Sequence, residues 1–507
     1  MTTNYFNFRQ AILSHLNSIV QLLSGSTWHP YVKIAGYVLL ALTFIGVVGT
    51  ILLESRNPVK ASAYILLLIF VPVLGLIVYY YLGRDLRKRR RFTLKGSKDE
   101  TLIYRFWETQ RPEMERMQLE LRQQVASKQE VSTMLLNTRQ SVLTKHNRVH
   151  LLLNGEEKFP ALFKALKHAK HHIHIEYYIF VADDIGNAVT EILIEKLKEG
   201  VEVRLIYDDL GSNHIGDIPA RLKAHGAEVY PFSPVRIYFY LNANYRNHRK
   251  IIVIDGRVGF TGGINVDERY VNNGKHSTFW RDTHLMIEGD AVNNLQLQFL
   301  LSYRYCSKQT FSFAIPYFQR STIRETCFSD IVASGPDSEW PMAMQCILMA
   351  INVAKRRIRI CNPYFIPNEQ ILTALQIAAL AGKDVELLLP EKGDSFVVQH
   401  AAMSFIKSLL EAGIHVYLYK KGFMHAKTIL IDDNVAMVGT VNLDNRSFYL
   451  NCEIAAIIYD QTFANKLNKS FEDDLCDAVK VDRKSWRNRP LFQKFTDAVC
   501  RLLTPLL

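Results

Sequence analysis

Two long uncharged segments dominate the hydrophobic pattern near the amino terminus. Residues Ile34–Leu53 contain no charged side chain over 20 positions, and residues Ala61–Leu82 contain none over 22. A helix needs about 20 apolar residues to cross the hydrocarbon core of a bilayer. The pattern therefore predicts two membrane-spanning helices that form a tight hairpin, because only seven residues separate them. A buried hairpin in a soluble domain is the alternative.

A basic cluster follows the second segment. Six basic side chains and one acidic side chain lie between Arg84 and Arg91. Positive charge beside a membrane span stays on the cytoplasmic side, so the cluster predicts a hairpin with both ends in the cytoplasm. The same charges attract anionic lipid headgroups, although a role in setting the topology explains them equally well.

Beyond residue 91 the pattern becomes that of a folded domain. Residues 92–143 are polar and rich in helix formers, which predicts a helical linker. Strand-like patterns at 173–180 and 201–207 then flank helical spacing at 189–199. Strands that alternate with helices are typical of βαβ units. The expected fold class is therefore α/β, with mostly parallel or mixed sheets flanked by helices.

The strand and helix pattern occurs twice. Residues 169–175 align with residues 354–360 at an offset of 185, and a helix and a strand follow in both copies. A group of histidines in the first copy invites interpretation as a metal site: His168, His171, His172 and His174. Three of the matching positions in the second copy are arginines, which do not bind metal ions. A basic, solvated strand edge is therefore the better interpretation, and no metal is expected.

The strongest chemical signal is a motif that occurs once in each copy, at an offset of 177 residues. Its histidine, lysine and aspartate are His248, Lys250 and Asp255 in the first copy, and His425, Lys427 and Asp432 in the second. A glycine and an asparagine follow each motif: Gly262 and Asn265, then Gly439 and Asn442. Two copies in register make a chance occurrence implausible.

These residue types at this spacing indicate phosphodiester chemistry. Residues two apart on a strand project to one face, and the glycines allow the backbone to approach a ligand. The lysines and asparagines would hold the phosphate oxygens. One imidazole would attack phosphorus, and the other would protonate the leaving alkoxide. By parity and distance, Asp255 and Asp432 are expected to make structural contacts behind the strand.

A histidine that acts as nucleophile also needs a carboxylate to orient its ring. Glu453 opens a predicted strand and is the expected partner of His425, and Asp282 is its counterpart for His248. The alternative is that both are ordinary charges at the ends of exposed strands. His276 and His284 are interpreted as incidental.

Composition narrows the class of partner. With 48% hydrophobic residues the chain can bury large cores, which excludes extensive disorder. Seven cysteines form no CxxC pair, so a disulfide framework is not expected. The formal net charge of +12 indicates an anionic partner. The two predicted spans favour lipid, and no basic stripe with aromatic residues for stacking nucleic-acid bases is evident.

The paired motifs resemble the phospholipase D superfamily, and the wider sequence resembles the bacterial cardiolipin synthase family within it. The wider signals are the two-span amino terminus, residues 176–180, residues 362–367 and residues 501–507. The resemblance implies that phosphatidylglycerol is converted to cardiolipin and glycerol through a phosphatidyl-histidine intermediate, with no metal or cofactor. It assigns catalytic roles to His248, Lys250, Asp255, His425, Lys427 and Asp432. It also implies the bacterial inner membrane, with the catalytic domains on the cytoplasmic side.

One departure from the superfamily pattern concerns the residue after the motif glycine. Thr440 has the usual hydroxyl, whereas Gly263 has none. The first half is therefore expected to bind phosphate less tightly, which leaves open which histidine attacks.

The domain boundaries follow from these patterns. The predicted regions are a membrane region at 1–91, a linker at 92–143, phospholipase D-like domains at 144–310 and 341–482 with a connecting segment at 311–340, and an amphipathic helix at 483–507. That helix suits either a lipid interface or packing on the protein core. A hydrolase, a membrane-bound nuclease and an inactive scaffold remain alternatives, and the sequence leaves open whether copies assemble into a homo-oligomer.

Overall fold

The computed structural model describes residues 98–234, 245–309, 317–336, 338–502 and 504. Nearer the amino terminus it describes residues 30, 31, 34, 38, 42, 44–49, 58–71, 75 and 79. The chain divides into two compact units, Met1–Arg87 and Lys88–Leu507.

The amino-terminal unit contains the helix Pro58–Phe70. Ala61, Tyr64, Leu68 and Tyr79 bury one another in a small apolar cluster. About half of the residues in the predicted spans, 34–53 and 61–82, lie outside the described residues. Within the described residues, no helix combines the length and the apolar character that crossing a membrane requires.

Two large mixed sheets form the centre of the second unit. In spatial order, the first sheet contains β1 (Asn147–Leu153), β8 (Thr283–Gly289), β6 (Val258–Gly262), β5 (Lys250–Ile254), β2 (His172–Tyr177), β3 (Glu202–Asp208) and β4 (Glu228–Phe232). The second sheet contains β9 (Phe328–Ser334), β16 (Glu453–Tyr459), β15 (Val435–Gly439), β14 (Thr428–Ile431), β10 (Arg357–Cys361), β11 (Asp384–Pro390), β12 (His415–Tyr419) and β17 (Ala478–Lys480). A small parallel pair, β7 (Phe279–Arg281) and β13 (Gly422–Met424), joins the two halves.

Seven strands of each large sheet share one topology, which confirms the duplication, and β17 is an additional edge strand of the second sheet. β2, β3 and β4 are parallel to one another, as are β10, β11 and β12. The motif strands β5 and β14 pair antiparallel to the first of these strands. The segment 311–340, expected to be only a connection, includes β9, which is an edge strand of the second sheet.

Helices cover the sheets and pack between them. Those before and within the first half are Lys98–Val125, Glu130–Asn137, Asn154–Lys167, Asp184–Lys198, Ile218–Ala224 and Ala291–Ser307, with short 3₁₀ turns at Ala126–Gln129 and Glu268–Val271. Those of the second half are Met342–Val353, Glu369–Leu380, Phe396–Glu411, Asn445–Tyr449, Gln461–Cys476, Arg483–Arg487 and Leu491–Leu502. One apolar cluster combines side chains from both halves, including Ile251, Leu295, Leu430 and Leu467. The halves therefore share a core.

The predicted solvated strand edge of histidines is wrong for β2. His172 and His174 are fully buried. Gln296 bonds to both rings, and the His174 ring stacks on Phe299 at 4.5 Å. The matching Arg359 on β10 is also buried, paired with Glu386 at 2.6 Å. The sheet face is covered by helices, so these polar side chains lie in the interior with partners.

Candidate active site

Backbone pairing between the two halves positions both motif histidines. His248 N donates to Cys452 O at 2.9 Å, immediately before β5. In the other copy, His425 N donates to Arg281 O at 2.7 Å, where β13 runs beside β7. Each histidine therefore lies where its own half meets the other half.

The orienting carboxylates cross between the halves. His248 Nδ1 lies 2.9 Å from Glu453 Oε2, and His425 Nδ1 lies 2.6 Å from Asp282 Oδ2. The predicted pairing of Glu453 with His425 and of Asp282 with His248 is therefore wrong. Backbone pairing between the halves is the reason, because it brings the start of β16 beside His248 and the residue after β7 beside His425. Both carboxylates are fully buried, not exposed strand ends.

Each carboxylate determines which ring nitrogen of its histidine carries the proton. A carboxylate accepts a hydrogen bond from the Nδ1–H group, which keeps the proton on Nδ1 and leaves Nε2 of a neutral imidazole with a lone pair. Burial would raise the pKa of the Glu453 carboxyl, but the charge and hydrogen bond of His248 hold it below its ordinary value. The pKa of Asp282 is likewise lowered, against its burial, by Lys427 and His425. Both groups therefore remain carboxylates at neutral pH.

The motif lysines lie buried beside the histidines. Lys250 Nζ donates to His248 O at 2.8 Å, and Lys427 Nζ donates to His425 O. Burial and the neighbouring Lys427 lower the pKa of Lys250 to about 7. Burial lowers the pKa of Lys427 to about 8.

The two motif sets act on one another electrostatically. Burial lowers the pKa of His248, and the charge of Lys427 from the other half lowers it further. Burial and the charge of Lys427 lower the pKa of His425 to about 3, with Lys250 contributing across the halves. The copies therefore form one basic cluster with two carboxylates, and an anion there would favour the charged forms of the bases.

The motif aspartates lie at the far ends of their strands from the histidines. Asp255 accepts backbone hydrogen bonds from Lys170 at 2.8 Å and His171 at 2.7 Å. Asp432 accepts from the backbone of Arg356 at 2.8 Å and pairs with Lys128 at 2.8 Å. These contacts fix the starts of β2 and β10.

The glycines and asparagines have different surroundings in the two halves. A Cβ on Gly262 would lie 2.6 Å from His284 Cα, and one on Gly439 would lie 2.4 Å from Ile454 O. The glycines therefore allow close approach of the neighbouring strand, and the approach of a ligand that the sequence suggested stays a prediction. The Asn265 amide donates to Tyr270 Oη at 2.9 Å, whereas the buried Asn442 Oδ1 has no hydrogen-bond partner among the described residues.

Thr440 and Gly263 differ in what they offer the neighbouring carboxylate. The Thr440 hydroxyl donates to Glu453. At Gly263 a Cβ would lie 2.0 Å from Asp282 Oδ1, so the carboxylate occupies the space of a side chain. The hydroxyl that the sequence analysis assigned to phosphate binding therefore supports a carboxylate.

An aromatic wall around His425 was missed by the sequence analysis. Its ring is surrounded by Tyr270, Trp280, Tyr364 and Phe423, with centroids 5.4–6.5 Å away. The His248 ring contacts Tyr178 at 4.9 Å. The only hint was position, because Tyr178 and Tyr364 lie in the segments 176–180 and 362–367. Among the described residues, no three His, Cys, Asp or Glu side chains are grouped as metal ligands.

Comparison with known proteins places this geometry in a family. A family model described as "Cardiolipin synthase, PLD-like domain" matches residues 162–291 and 347–475. A second model, "Phospholipase_D-nuclease N-terminal", matches residues 39–84.

Full-length relatives agree with the family models. The chain is 38% identical to a cardiolipin synthase of Geobacillus kaustophilus, over 98% of this chain and 99% of the relative. It is 39% identical to a cardiolipin synthase of Alkalihalophilus pseudofirmus, over 92% of each chain.

A solved structure supports the fold. The phosphatidylserine synthase of Haemophilus influenzae has a TM-score of 0.58 at 14% identity, covering 75% of this chain and 97% of that one. The duplicated sheets, the family models and the full-length relatives agree, and the chain belongs to the cardiolipin synthase family, the phosphatidyltransferases built from two phospholipase D-like domains.

Proposed function

We propose that the protein transfers a phosphatidyl group from one phosphatidylglycerol to another, giving cardiolipin and glycerol through a phosphatidyl-histidine intermediate. The observation that carries the proposal is the crossed arrangement of His248 with Glu453 and of His425 with Asp282. It builds two oriented imidazoles into one cluster of buried charges, as a two-step displacement at a single phosphorus requires.

In the first step, Nε2 of one neutral histidine attacks phosphorus. The bond from phosphorus to the glycerol oxygen breaks, and the second histidine, in its protonated form, gives its proton to that oxygen. Lys250 and Lys427 neutralise the phosphate oxygens, and the amide of Asn442 is available to donate to them as charge develops. Glycerol leaves, and one histidine carries the phosphatidyl group.

In the second step, the roles of the bases reverse. The second histidine, now neutral, takes the proton from the terminal hydroxyl of another phosphatidylglycerol. That oxygen attacks phosphorus, the phosphorus–nitrogen bond breaks, and cardiolipin is released. Asp255 and Asp432 would contribute by fixing the strands that carry the motif, since their carboxylates bind backbone amides.

The aromatic wall supports transfer to a lipid alcohol in preference to water. Tyr270, Trp280, Tyr364 and Phe423 cover the His425 ring, and His425 is only 7% exposed. A covalent intermediate in such surroundings is protected from hydrolysis. This is the feature that favours a transferase over a hydrolase that uses the same histidines.

The membrane setting is part of the proposal. The uncharged segments 34–53 and 61–82 would cross the bacterial inner membrane as a hairpin, and the basic residues 84–91 would keep the catalytic domains on the cytoplasmic side. Anionic phospholipids are then substrate, product and immediate surroundings. The second family model, at residues 39–84, covers the same region.

The experiment that tests the function supplies the full chain, in detergent, with phosphatidylglycerol and analyses the lipids formed. Cardiolipin with an equal amount of glycerol is the expected result. Phosphatidic acid without cardiolipin would indicate a hydrolase, and cleavage of an added oligonucleotide would indicate a nuclease. Acid quenching and peptide mapping of the covalent adduct would identify the histidine that attacks.

A further inference from the structure

The carboxyl-terminal helix Leu491–Leu502 has an inverted pattern of burial. Its large apolar side chains are between 43% and 81% exposed: Leu491, Phe492, Phe495, Val499 and Leu502. The buried side chains of this helix are Asp497 and Cys500. A surface helix of a soluble domain buries its apolar stripe and exposes its polar face. Here the apolar stripe faces outward.

Polar contacts hold the helix in this orientation against the helix Phe396–Glu411. The Asp497 carboxylate pairs with His400 Nδ1 at 2.8 Å and with Arg489 Nη1 at 3.0 Å. The Arg501 guanidinium lies 4.5 Å from the centre of the Phe405 ring. Because both oxygens of the buried Asp497 have partners, rotation that would bury the stripe would break these pairs.

Basic side chains border the apolar stripe. Lys484, Arg487 and Arg501 are exposed, and Lys494 is partly exposed. Between residues 483 and 502 the only acidic residue is Asp497, which is buried and already paired. The outward surface of this segment therefore combines exposed apolar side chains with an excess of positive charge, which is the composition of an interfacial helix.

A short series of contacts connects this surface to the candidate site. The Tyr364 ring lies 6.5 Å from the His425 ring, and its hydroxyl donates to Asp394 at 2.6 Å. Two residues later, the 67% exposed Phe396 begins the helix that carries His400, the partner of Asp497. The helix Leu491–Leu502 and Tyr364 of the aromatic wall are therefore connected through the first residues of the helix Phe396–Glu411 and the loop before it.

We propose that the stripe of Leu491, Phe492, Phe495, Val499 and Leu502 inserts into the interfacial region of a bilayer that contains anionic lipid. The bordering basic side chains bind the headgroups, and the helix holds the His425 side of the site next to the membrane surface. A second copy of the chain is a poorer occupant, because a symmetric contact would bring the same positive charges together. The proposal does not depend on which diester the site cleaves.

Fluorescence quenching by brominated lipid tests the insertion directly. The full chain with Phe495→Trp is reconstituted in phosphatidylcholine vesicles, with or without phosphatidylserine, and the signal of the parent chain is subtracted. Leu119→Trp is the matched control, because Leu119 is an apolar side chain 65% exposed on the helix Lys98–Val125. Quenching at position 495 is expected to exceed that at 119 by about twofold or more, and to increase with phosphatidylserine.

Three results would overturn the proposal. Equal quenching at both positions would do so, as would quenching at 495 that is indifferent to anionic lipid. In the third result, the tryptophan at position 495 is protected from quenching by acrylamide but is not quenched by lipid, and the protection is lost when the protein is diluted among vesicles. This result would show that the stripe binds a second copy of the chain. Removing one charge by Lys484→Gln or Lys494→Gln should weaken the response to phosphatidylserine by up to about fivefold.

A second pair of variants separates this proposal from the proposed reaction. Phe492→Ser/Phe495→Ser should lower turnover of vesicle lipid but not of a short-chain monomeric substrate, and Phe492→Leu/Phe495→Leu should preserve both. Equal melting temperatures would show that the fold is unchanged, as expected for exposed side chains. If neither the parent chain nor any variant turns over either substrate, the proposed function is wrong. The quenching experiment would still show whether the stripe inserts into the bilayer.

Discussion

At the scale of single residues, the crossed carboxylates define the chemistry of the site. Each histidine receives its orienting group from the other half, and only one of these carboxylates has a threonine hydroxyl beside it. The two imidazoles are consequently not equivalent, although their motifs are nearly identical in sequence. In the proposed reaction, which needs both a neutral and a charged histidine, this asymmetry would suit the two halves to different roles.

The first prediction concerns which histidine each carboxylate serves. Glu453→Gln should lower kcat by about 10²- to 10⁴-fold, since it removes the anion that orients His248 and stabilises its charged form. The variant should lower the pKa of His248 and leave that of His425 nearly unchanged, which ring proton resonances measure against pH. Asp282→Asn is the reciprocal variant. A change confined to His425 in Glu453→Gln would contradict the crossed pairing.

The second prediction concerns the residue after each motif glycine. Gly263→Ala should destabilise the protein by about 1 to 3 kcal/mol and reduce activity, because its Cβ would overlap the Asp282 carboxylate. Thermal unfolding in detergent and the cardiolipin assay measure the two effects. Thr440→Ser keeps the hydroxyl on Glu453 and serves as the control. A fully stable, active Gly263→Ala variant would show that Asp282 is free to move.

The sequence predicted which residues form the site, but it did not predict which carboxylate pairs with which histidine. Spacing and repetition identified His248, Lys250, His425 and Lys427, because two copies in register are a strong signal. The partner of each histidine depends on how the halves face one another, and spacing along the chain carries no such information. The aromatic wall was missed for the same reason, since its members come from both halves.

At the scale of secondary-structure elements, short strands that cross between the halves hold the site together. β7 and β13 pair in parallel, and Arg281 at the end of β7 reaches across to the helix Gln461–Cys476. Its guanidinium pairs with Asp474 at 2.7 Å and bonds to Ser470. The next residue along the chain is Asp282, so this buried pair also fixes the carboxylate of His425.

The third prediction tests this buried pair. Arg281→Met should destabilise the protein by about 3 to 5 kcal/mol, because it leaves the Asp474 charge buried without a partner. The double variant Arg281→Met/Asp474→Leu should recover much of that loss. Arg148→Met is the control, since Arg148 is 42% exposed in its pair with Glu325 and should change the melting temperature little. Equal losses of stability in Arg281→Met and Arg148→Met would contradict the stabilising role of the buried pair.

The hydrophobic pattern predicted the strands of the core. It did not predict which strands and helices pack beside them. Strand-like patterns identified β2, β3, β5 and β14, and the duplication predicted that both halves share one topology. β9 was assigned to a connecting segment, because its burial depends on pairing with β16, more than 100 residues later. The buried histidines of β2 were misjudged because polarity in sequence does not reveal which helix covers a strand.

At the scale of the whole molecule, the two halves bring two buried lysines into one site, and the protonation of these lysines is linked to the binding of an anion. Lys250 and Lys427 have pKa values lowered to about 7 and about 8, chiefly by burial. A bound phosphodiester would raise both values, so binding must take up protons wherever the free lysines are partly neutral. The amino-terminal pattern could be interpreted only as candidate spans, and about half of those residues lie outside the described part of the chain.

The fourth prediction follows from this linkage. Binding of glycerophosphoglycerol, a soluble diester with one constant negative charge, should be tightest below pH 7. It should weaken as the pH rises through 7 to 8, by at most about tenfold per pH unit for each lysine that loses its proton. Titration calorimetry in two buffers of different ionisation heat measures the proton uptake. Lys250→Arg, whose side chain stays charged, should reduce the proton uptake. Binding that does not depend on pH would contradict the lowered pKa values of the two lysines.

The crossing of the carboxylates has a consequence for how such a protein can evolve. Neither half holds a complete imidazole–carboxylate couple, so a gene fragment that encodes one half would yield no working centre by itself. A substitution at the histidine or the carboxylate of either half therefore changes a couple that includes the other half. His248 and Asp282 lie in the same half of the chain, but substitutions at these two positions would act on different couples of the same centre.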